Sequence, residues 1–183
     1  NHPWAATYFD DQVSPAEGTS SEEFYQIYHK FGYDQAVSRA SDSLSYVYRL
    51  DEKYWLMMLD SCMCEPVHET GGKLSEETVA WMKTQLEEAK KQGVTVIPVS
   101  HHNLLDESTL YPEECTIENT KEVTALLEAY GVPVYLSGHL HLQRIKKHTS
   151  NLNTPGGYGI REIVTSPLPM APGQARFRAS TVS

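Results

Sequence analysis

The chain has 183 residues, of which 40% are hydrophobic and 21% charged, a composition typical of one globular domain and unlike that of disordered or fibrous proteins. No apolar run approaches the ~20 residues that a membrane-spanning helix needs. Asp and Glu number 24 against 15 Lys and Arg, and the net charge of -9 disfavours binding to nucleic acid or to anionic lipid, because like charges repel.

Three amphipathic helices are predicted, each with a recognisable beginning and end. The first covers about residues 21–31, because Ser20 and Glu23 form a capping-box pattern that precedes an apolar stripe. The second covers about 75–92 and the third about 119–130, and a glycine follows each of the three. The apolar stripes consist of Phe24, Ile27, Tyr28 and Phe31; of Val79, Met82, Leu86 and Ala89; and of Val123, Leu126, Leu127 and Tyr130.

Five β-like runs lie after the first helix, and their alternation with the other two helices predicts an α/β domain with two strand–helix–strand units. Pro98, inside the third run, indicates an edge position or a bulge, because proline cannot donate to a β-ladder. The domain is predicted to span residues 1–170, and 171–183 to form a disordered tail. The five runs are 44–50, 54–60, 94–99, 132–136 and 160–165.

The cysteines and one aspartate have ordinary structural explanations. Three cysteines, Cys62, Cys64 and Cys115, cannot all pair within the chain, so we expect reduced thiols. A C-x-C with no second pair is weak evidence for a metal site. Asp60, at the end of its predicted strand, is more typical of a turn than of a cleft carboxylate.

Two groups of histidines directly follow two consecutive predicted strands: His101 with His102, and His139 with His141. Ligands of α/β sheets bind beyond the carboxyl ends of the strands. In extended backbone His139 and His141 would point the same way, whereas His102 would point away from His101. Neutral imidazole is a good ligand for Zn, Mn, Fe or Ni, so this edge of the sheet is predicted to bind metal.

A single histidine at a strand end is more often a surface polar group than a ligand. Two clusters at successive strand ends favour a metal site over that explanation. The remaining internal histidines, His29, His68 and His148, lie in the first helix and in loops, and we expect them to be solvated.

Three motifs resemble, in order, the last three motifs of the calcineurin-like metallophosphoesterases. Asn1-His2 matches part of G-N-H-[D/E], His101 matches a lone histidine after a strand, and Gly138-His139-Leu140-His141 matches G-H-x-H. Residues 101–105 and 136–139 are especially similar to those of bacterial members. The resemblance spans roughly residues 1–170. It implies a four-layer α/β/β/α sandwich with a dinuclear metal site, which hydrolyses a phosphomonoester or a phosphodiester by a metal-bound hydroxide.

The resemblance also implies roles for individual residues. Asn1, His101 and His139 would bind one divalent ion, and His141 would bind the other. His2 would be the catalytic acid that protonates the leaving group or steadies the phosphate. The ions would be Mn, Fe, Zn or Ni, two of them in the complete family site.

The family's opening motifs, D-x-H and G-D-x-x-D, do not occur in these 183 residues, and Pro3 stands where an acidic residue is usual. The chain is therefore expected to be an N-terminally incomplete member that binds at most one metal ion and has little activity alone. The missing carboxylates would otherwise separate two mutually repelling cations. Loss of the opening strands should also expose a sheet edge and permit self-association.

The leading hypothesis is thus a hydrolase acting on a small phosphate ester. The alternative is a non-catalytic metal- or ligand-binding module that retains the histidines, and a third possibility is a plain structural domain. A D-x-H motif upstream of Asn1 would favour the hydrolase. The sequence names no substrate, and it indicates no compartment because any signal peptide would precede Asn1.

Overall fold

The computed structural model describes residues 6–9, 12–15, 18–64, 69–106, 115–148 and 159–165. The helices are α1 (Ser21–Tyr28), α2 (Glu76–Gln92) and α3 (Thr120–Ala129), and a 3₁₀ turn covers Tyr33–Gln35. The strands are β1 (Ala6–Phe9), β2 (Gln12–Pro15), β3 (Ala36–Arg39), β4 (Tyr46–Arg49), β5 (Tyr54–Met58), β6 (Cys62–Met63), β7 (Glu69–Gly72), β8 (Thr95–Val99), β9 (Val134–Ser137), β10 (Arg144–Lys147) and β11 (Arg161–Val164).

Seven of these strands form one mixed sheet in the order β10-β11-β9-β8-β5-β4-β3. Its centre is parallel, because β11 pairs with β9, β9 with β8 and β8 with β5 in the same direction. The outer pairs are antiparallel. This architecture confirms the α/β class, and the parallel pairs β5–β8 and β8–β9 confirm both predicted strand–helix–strand units.

One face of the sheet packs against α2 and α3 and forms the core. Alternate residues of each strand point to this face, as the two-residue period of a strand requires. Both helices bury the stripes that the sequence predicts, with Leu126, Tyr130 and Val79 only partly covered. The core combines Val47, Trp55, Met57, Val96 and Tyr135 of the sheet with Met82, Leu86 and Ala89 of α2 and Val123 and Leu127 of α3.

The opposite face of the sheet also carries apolar side chains, but these are only partly buried. They are the residues that alternate with the core positions, including Leu56, Met58, Ile97, Val99 and Leu136. The sheet therefore has one tightly packed face and one looser face within the described residues. The looser face is the one on which a four-layer sandwich would place its second sheet.

Helix α1 is stabilised by its cap rather than by the core. The Ser20 hydroxyl accepts a hydrogen bond from the Glu23 amide at 3.3 Å, and the Glu23 carboxylate accepts one from the Ser20 amide at 2.9 Å, which confirms the capping box. No residue of the helix is buried. Its apolar stripe faces solvent among the described residues, with Ile27 61% and Phe31 77% exposed.

The structure corrects the expectation for Pro98. Strand β8 lies between β5 and β9 rather than at an edge. The ladder between β8 and β9 includes only Val99 and Leu136, so no ladder bond on that side requires an N–H at position 98. The true edges of this sheet are β3 and β10, which the sequence did not predict, because AVSR and RIKK lack a clear alternation of apolar residues.

Both edge strands expose one apolar side chain, Val37 on β3 and Ile145 on β10. Self-association through a sheet edge stays a prediction. No helix in the described part of the chain is long and apolar enough to cross a membrane. The predicted tail, residues 171–183, lies outside the described residues, and so do Asn1 and His2.

Neighbouring methionines on β5 test this layering. Met57 points into the helix-covered core and is fully buried, whereas Met58 points to the looser face and is partly buried. We expect Met57→Ala to lower the free energy of unfolding by about 2–5 kcal/mol, as buried truncations do. The matched variant Met58→Ala should lose clearly less in the same urea titration. Equal losses would show that the two faces are packed alike.

Candidate metal centre

The carboxyl ends of β8 and β9 continue side by side beyond the ladder. The Ser100 amide donates to the Leu136 carbonyl at 3.0 Å, and the Gly138 amide donates to the His101 carbonyl at 3.0 Å. A Cβ added at Gly138 would lie 3.7 Å from the His101 carbonyl oxygen and 3.8 Å from the His101 ring, which is ordinary van der Waals contact. These bonds bring the two histidine groups to the same edge of the sheet, as predicted.

His101 and His139 meet through their ring nitrogens. His139 Nδ1 lies 3.1 Å from His101 Nε2, and the two rings are nearly perpendicular. His139 reaches this position from a left-handed backbone conformation, with φ of 66°, which is uncommon for a residue with a side chain. Such strained backbone clusters at functional sites. We call these two residues the His101–His139 pair.

The backbone around His141 differs from the extended conformation that the sequence suggested. His139 and His141 both have positive φ, 66° and 55°, so the chain bends after β9 and the two-residue alternation of a strand does not apply. His141 is exposed, and its ring lies close enough to His101 to influence the pKa of that residue. Its role as a ligand remains a prediction.

His102 is buried, and both its ring nitrogens are occupied by the protein. Its Nε2 lies 2.9 Å from the Thr70 carbonyl, which can only accept, so Nε2 carries the proton. Its Nδ1 then accepts from the Ser61 hydroxyl at 2.9 Å. One nitrogen each of His101, His102 and His139 lie within 4.8 Å of one another. Because the lone pair of His102 already accepts a hydrogen bond, this residue stabilises the loop and is not available as a metal ligand.

Gly72 leaves room for the His102 ring. A Cβ added to Gly72 would lie 2.3 Å from His102 Cγ, well inside van der Waals contact. A Cβ at the preceding Gly71 would meet nothing within 4 Å. Only the second of the two neighbouring glycines is therefore required by packing.

The His101 ring is uncharged at neutral pH. Partial burial of the ring, followed by the neighbouring imidazoles of His102 and His139, lowers the pKa of His101 to about 4. Burial likewise lowers the pKa of His102. A neutral imidazole keeps a lone pair, so His101 needs no deprotonation to bind a cation at pH 7.

A buried carboxylate ties the two loops together. Glu162 on β11 accepts hydrogen bonds from the amides of Leu104 and Leu105, at 2.7 and 2.8 Å, and from the Ser137 hydroxyl at 2.6 Å. The Asn103 side-chain amide donates to Ser137 at 2.9 Å. Burial raises the pKa of Glu162, and these hydrogen bonds oppose that shift. We call these five residues the Glu162 network.

The sequence analysis did not identify this network, although a signal was present. Ile160, directly before β11, and Glu162 and Val164 within it occupy alternate positions, and all three are fully buried. A charged residue on the apolar side of an alternating strand indicates a buried, hydrogen-bonded group. The partners could not be predicted, because they belong to loops that fold back from two other strands.

Asp60 bonds to backbone amides as a turn residue does, and it also lines the groove that opens beside His101. Its carboxylate accepts from the amides of Leu44 and Cys62, at 3.3 and 3.2 Å. Cys62, Cys64 and Cys115 form no disulfide with one another. Among the described residues, the three histidines at positions 101, 102 and 139 form the one group with metal-binding proximity, so neither cysteine of the C-x-C belongs to such a group.

A groove of about 1240 Å³ opens beside the pair. His101 and Val99 line one end of it, and Tyr25, Tyr33 and Arg39 line the other. His139 is not among its lining residues. A ligand bound at His101 would therefore have space to extend toward β3.

Comparison with solved structures finds proteins that share the fold of this chain. No protein-family model matches the chain, and no curated protein matches it. A solved dimetal phosphatase from Danio rerio, LOC 393393, is similar in structure, with a TM-score of 0.61, 13% sequence identity and 80% of this chain matched. GAP50, the anchor in the inner membrane complex of Plasmodium, matches 83% of this chain at 14% identity with a TM-score of 0.46. The chain spans 56% and 49% of the lengths of these two proteins.

The two neighbouring glycines provide a test of how the His102 ring packs against Gly72. We expect Gly72→Ala to lower the melting temperature clearly and to change the environment of the His102 ring, because the new methyl group overlaps that ring. Gly71→Ala is the matched control and should change stability by less than about 1 kcal/mol. Histidine resonances in NMR spectra report the ring. A Gly72→Ala variant with unchanged spectra would contradict the close packing of His102 against Gly72.

Glu162→Gln tests the network. A glutamine keeps the shape but places an N–H group opposite donors, so we expect the free energy of unfolding to fall by about 2 kcal/mol. Amide hydrogen exchange at Leu104 and Leu105 should become faster. Glu118→Gln is the control, because Glu118 forms only a half-exposed ion pair with Lys73, whose loss should matter by less than about 1 kcal/mol. Similar losses in both variants would contradict the proposed importance of the network.

Proposed function

We propose that this chain carries part of the active site of a metal-dependent phosphoesterase, acting on a small phosphomonoester or phosphodiester. The observation that supports it most directly is the His101–His139 pair, whose facing nitrogens lie 3.1 Å apart at the carboxyl ends of adjacent parallel strands. The fold is shared with a protein described as a dimetal phosphatase. Fold alone does not determine chemistry, so the proposal depends on the site.

The pair fits a single divalent cation. At Zn–N distances of about 2.0–2.1 Å, two nitrogens 3.1 Å apart subtend an angle of about 100°, near the tetrahedral value. Without an ion, the facing nitrogen of one ring donates a hydrogen bond to the facing nitrogen of the other. Moving the proton of the donor ring to its other nitrogen leaves two lone pairs facing one position. His101, uncharged at pH 7, needs no more than this change of tautomer.

The remaining residues of the proposed site come from the family resemblance. His141 would bind a second ion, Asn1 would add an amide ligand, and His2 would act as the acid toward the leaving group. A divalent cation of the Mn, Fe, Zn or Ni type would supply positive charge for the phosphate oxygens and lower the pKa of water. The chain's own contribution is to hold the two imidazoles in place through the Glu162 network and the backbone bonds of Gly138.

A specific observation favours the second candidate, a metal-binding module without catalysis. The group at positions 101, 102 and 139 contains imidazoles only, with no carboxylate in metal-binding proximity among the described residues. Two cations in such surroundings would repel strongly. We therefore expect at most one bound ion per chain.

Titration with Co²⁺ tests the metal site, because the ion reports its ligands through its visible absorption. We expect one ion per chain, and a loss of affinity of about 100-fold or more for His101→Gln and for His139→Gln, since even outer partners of a metal ligand contribute 10–100-fold. His29→Gln is the matched control, because that ring bonds to its own helix at the Gln26 carbonyl. Undiminished binding in both site variants would refute the site.

Hydrolysis separates the two functions. With Mn²⁺ added, p-nitrophenyl phosphate and bis(p-nitrophenyl) phosphate test monoesterase and diesterase activity. Turnover that is lost with a chelator and in His101→Gln supports the phosphoesterase. Tight metal binding without turnover, both in this chain and in a chain extended at its amino end, supports the module.

A further inference from the structure

The groove that begins at His101 contains a positively charged side chain at its far end. Arg39, the last residue of β3, lines the groove together with Tyr25 and Tyr33. Its guanidinium carbon lies 4.0 Å from the centre of the Tyr25 ring and 5.6 Å from that of Tyr33. The two tyrosine rings pack edge to face against each other. Arg39 is therefore held against a fixed aromatic surface, an arrangement that orients a guanidinium for binding.

Arg39 has no carboxylate partner within the described residues, where the ion pairs involve Lys73, Lys91 and His148 instead. A guanidinium with no carboxylate partner in the described part of the chain is notable where the net charge is -9. Because the planar guanidinium has the right geometry to bind carboxylate or phosphate, we expect its ligand to be an anion.

Four acidic residues, Glu22, Asp42, Asp60 and Glu69, line the groove together with Lys73, and two of the four accept several hydrogen bonds from the protein. Asp42 accepts hydrogen bonds from the hydroxyls of Ser75 and Thr78 near the start of α2. Asp60 accepts from two backbone amides, and burial raises its pKa. Neither is within ion-pair distance of Arg39. The guanidinium is thus available to a ligand that enters the groove.

Strand register gives the length of that ligand. Arg39 pairs with Tyr46, Tyr46 with Met58, and Met58 with Val99, so these residues form one row across four adjacent strands. Three strand intervals of ~4.8 Å place Arg39 and Val99 about 14 Å apart along the row. His101 lies two residues, or about 7 Å, farther along the strand, so the diagonal from Arg39 is about 16 Å. A contact of about 3 Å at each end leaves roughly 10 Å between the two charged ends of a ligand.

We propose that the groove binds an elongated phosphoester whose leaving group carries a second anionic group, with the scissile phosphate at the His101–His139 pair and the second anion on Arg39. This inference rests on the proposed function, because it assigns the scissile phosphate to the histidine end. It names the substrate class by chemistry: two anionic groups roughly 10 Å apart. A compact monoester would occupy only one end of the groove.

Binding of two simple compounds tests the proposal. Hexane-1,6-diyl bisphosphate has two phosphates separated by a chain that matches the span, and hexyl phosphate has one. With Mn²⁺ in excess, calorimetric titration of the whole chain should show about tenfold tighter binding of the bisphosphate, the effect of one charge-assisted contact. In Arg39→Met the ratio of the two affinities should fall to about one. Arg39→Lys, which keeps the charge without the planar stack, should retain part of the preference.

Arg49→Met is the matched control. Arg49 is also an exposed arginine near an aromatic ring, 5.7 Å from Trp55, but it does not line the groove. Its variant should keep the tenfold ratio, and melting curves of the variants verify folding. A wild-type chain without preference for the bisphosphate, or an Arg39→Met variant that keeps it, would overturn the proposal.

The same titrations distinguish failure of the proposed function. If hexyl phosphate does not bind but Arg39-dependent binding of the bisphosphate persists, the anion site on Arg39 stands and the histidine end is not a phosphate site. If hexyl phosphate binds in a manner that requires His101 while the bisphosphate is no tighter, the phosphoesterase site stands and the Arg39 assignment is wrong. Binding of neither compound refutes both.

Discussion

One buried carboxylate holds the two histidine-bearing loops in a common position. Glu162 on β11 reaches the amides of Leu104 and Leu105, which follow β8, and the hydroxyl of Ser137, which ends β9. Its burial means that any lost partner would leave a desolvated charge, so the arrangement is far less tolerant than a surface ion pair. Because the β8–β9 ladder has a single registered pair, this carboxylate and the backbone bonds from Ser100 to Leu136 and from Gly138 to His101 together connect the two strand ends.

The parts of the fold that follow a local rule could be predicted from the sequence. α2 has a side-chain cap, α2 and α3 each end before a glycine and have one apolar stripe, and β5 and β8 are continuous apolar runs. The proximity of His101 and His139 followed from their positions after consecutive strands. The edge strands β3 and β10 lack such a pattern and are defined by their partners. The edge position predicted from Pro98 was wrong for a related reason. Only the strand pairing shows that the ladder between β8 and β9 does not extend to position 98.

Two features of the site depend on contacts that no sequence pattern carries. The left-handed backbone of His139 is set by the turn after β9, and an alternation rule for extended chain cannot anticipate it. His102 stands next to a candidate ligand and looks like one itself. Its lone pair and its proton are taken by Ser61 and Thr70, from segments far away in the chain. Which of two adjacent histidines is available is thus decided by tertiary hydrogen bonds.

Ligand charge determines both how many cations this site can hold and what they can attract. Two divalent ions 4 Å apart repel by about 16 kcal/mol at an effective dielectric constant of 20, and imidazoles do nothing to offset that. A single ion among neutral ligands keeps its full positive charge. Arg39 adds a second positive centre about three strand intervals away, on a chain that is otherwise acidic. A ligand with anions at both ends interacts favourably with both centres, whereas a compact phosphate reaches one, so charge placement as well as groove length favours the longer ligand.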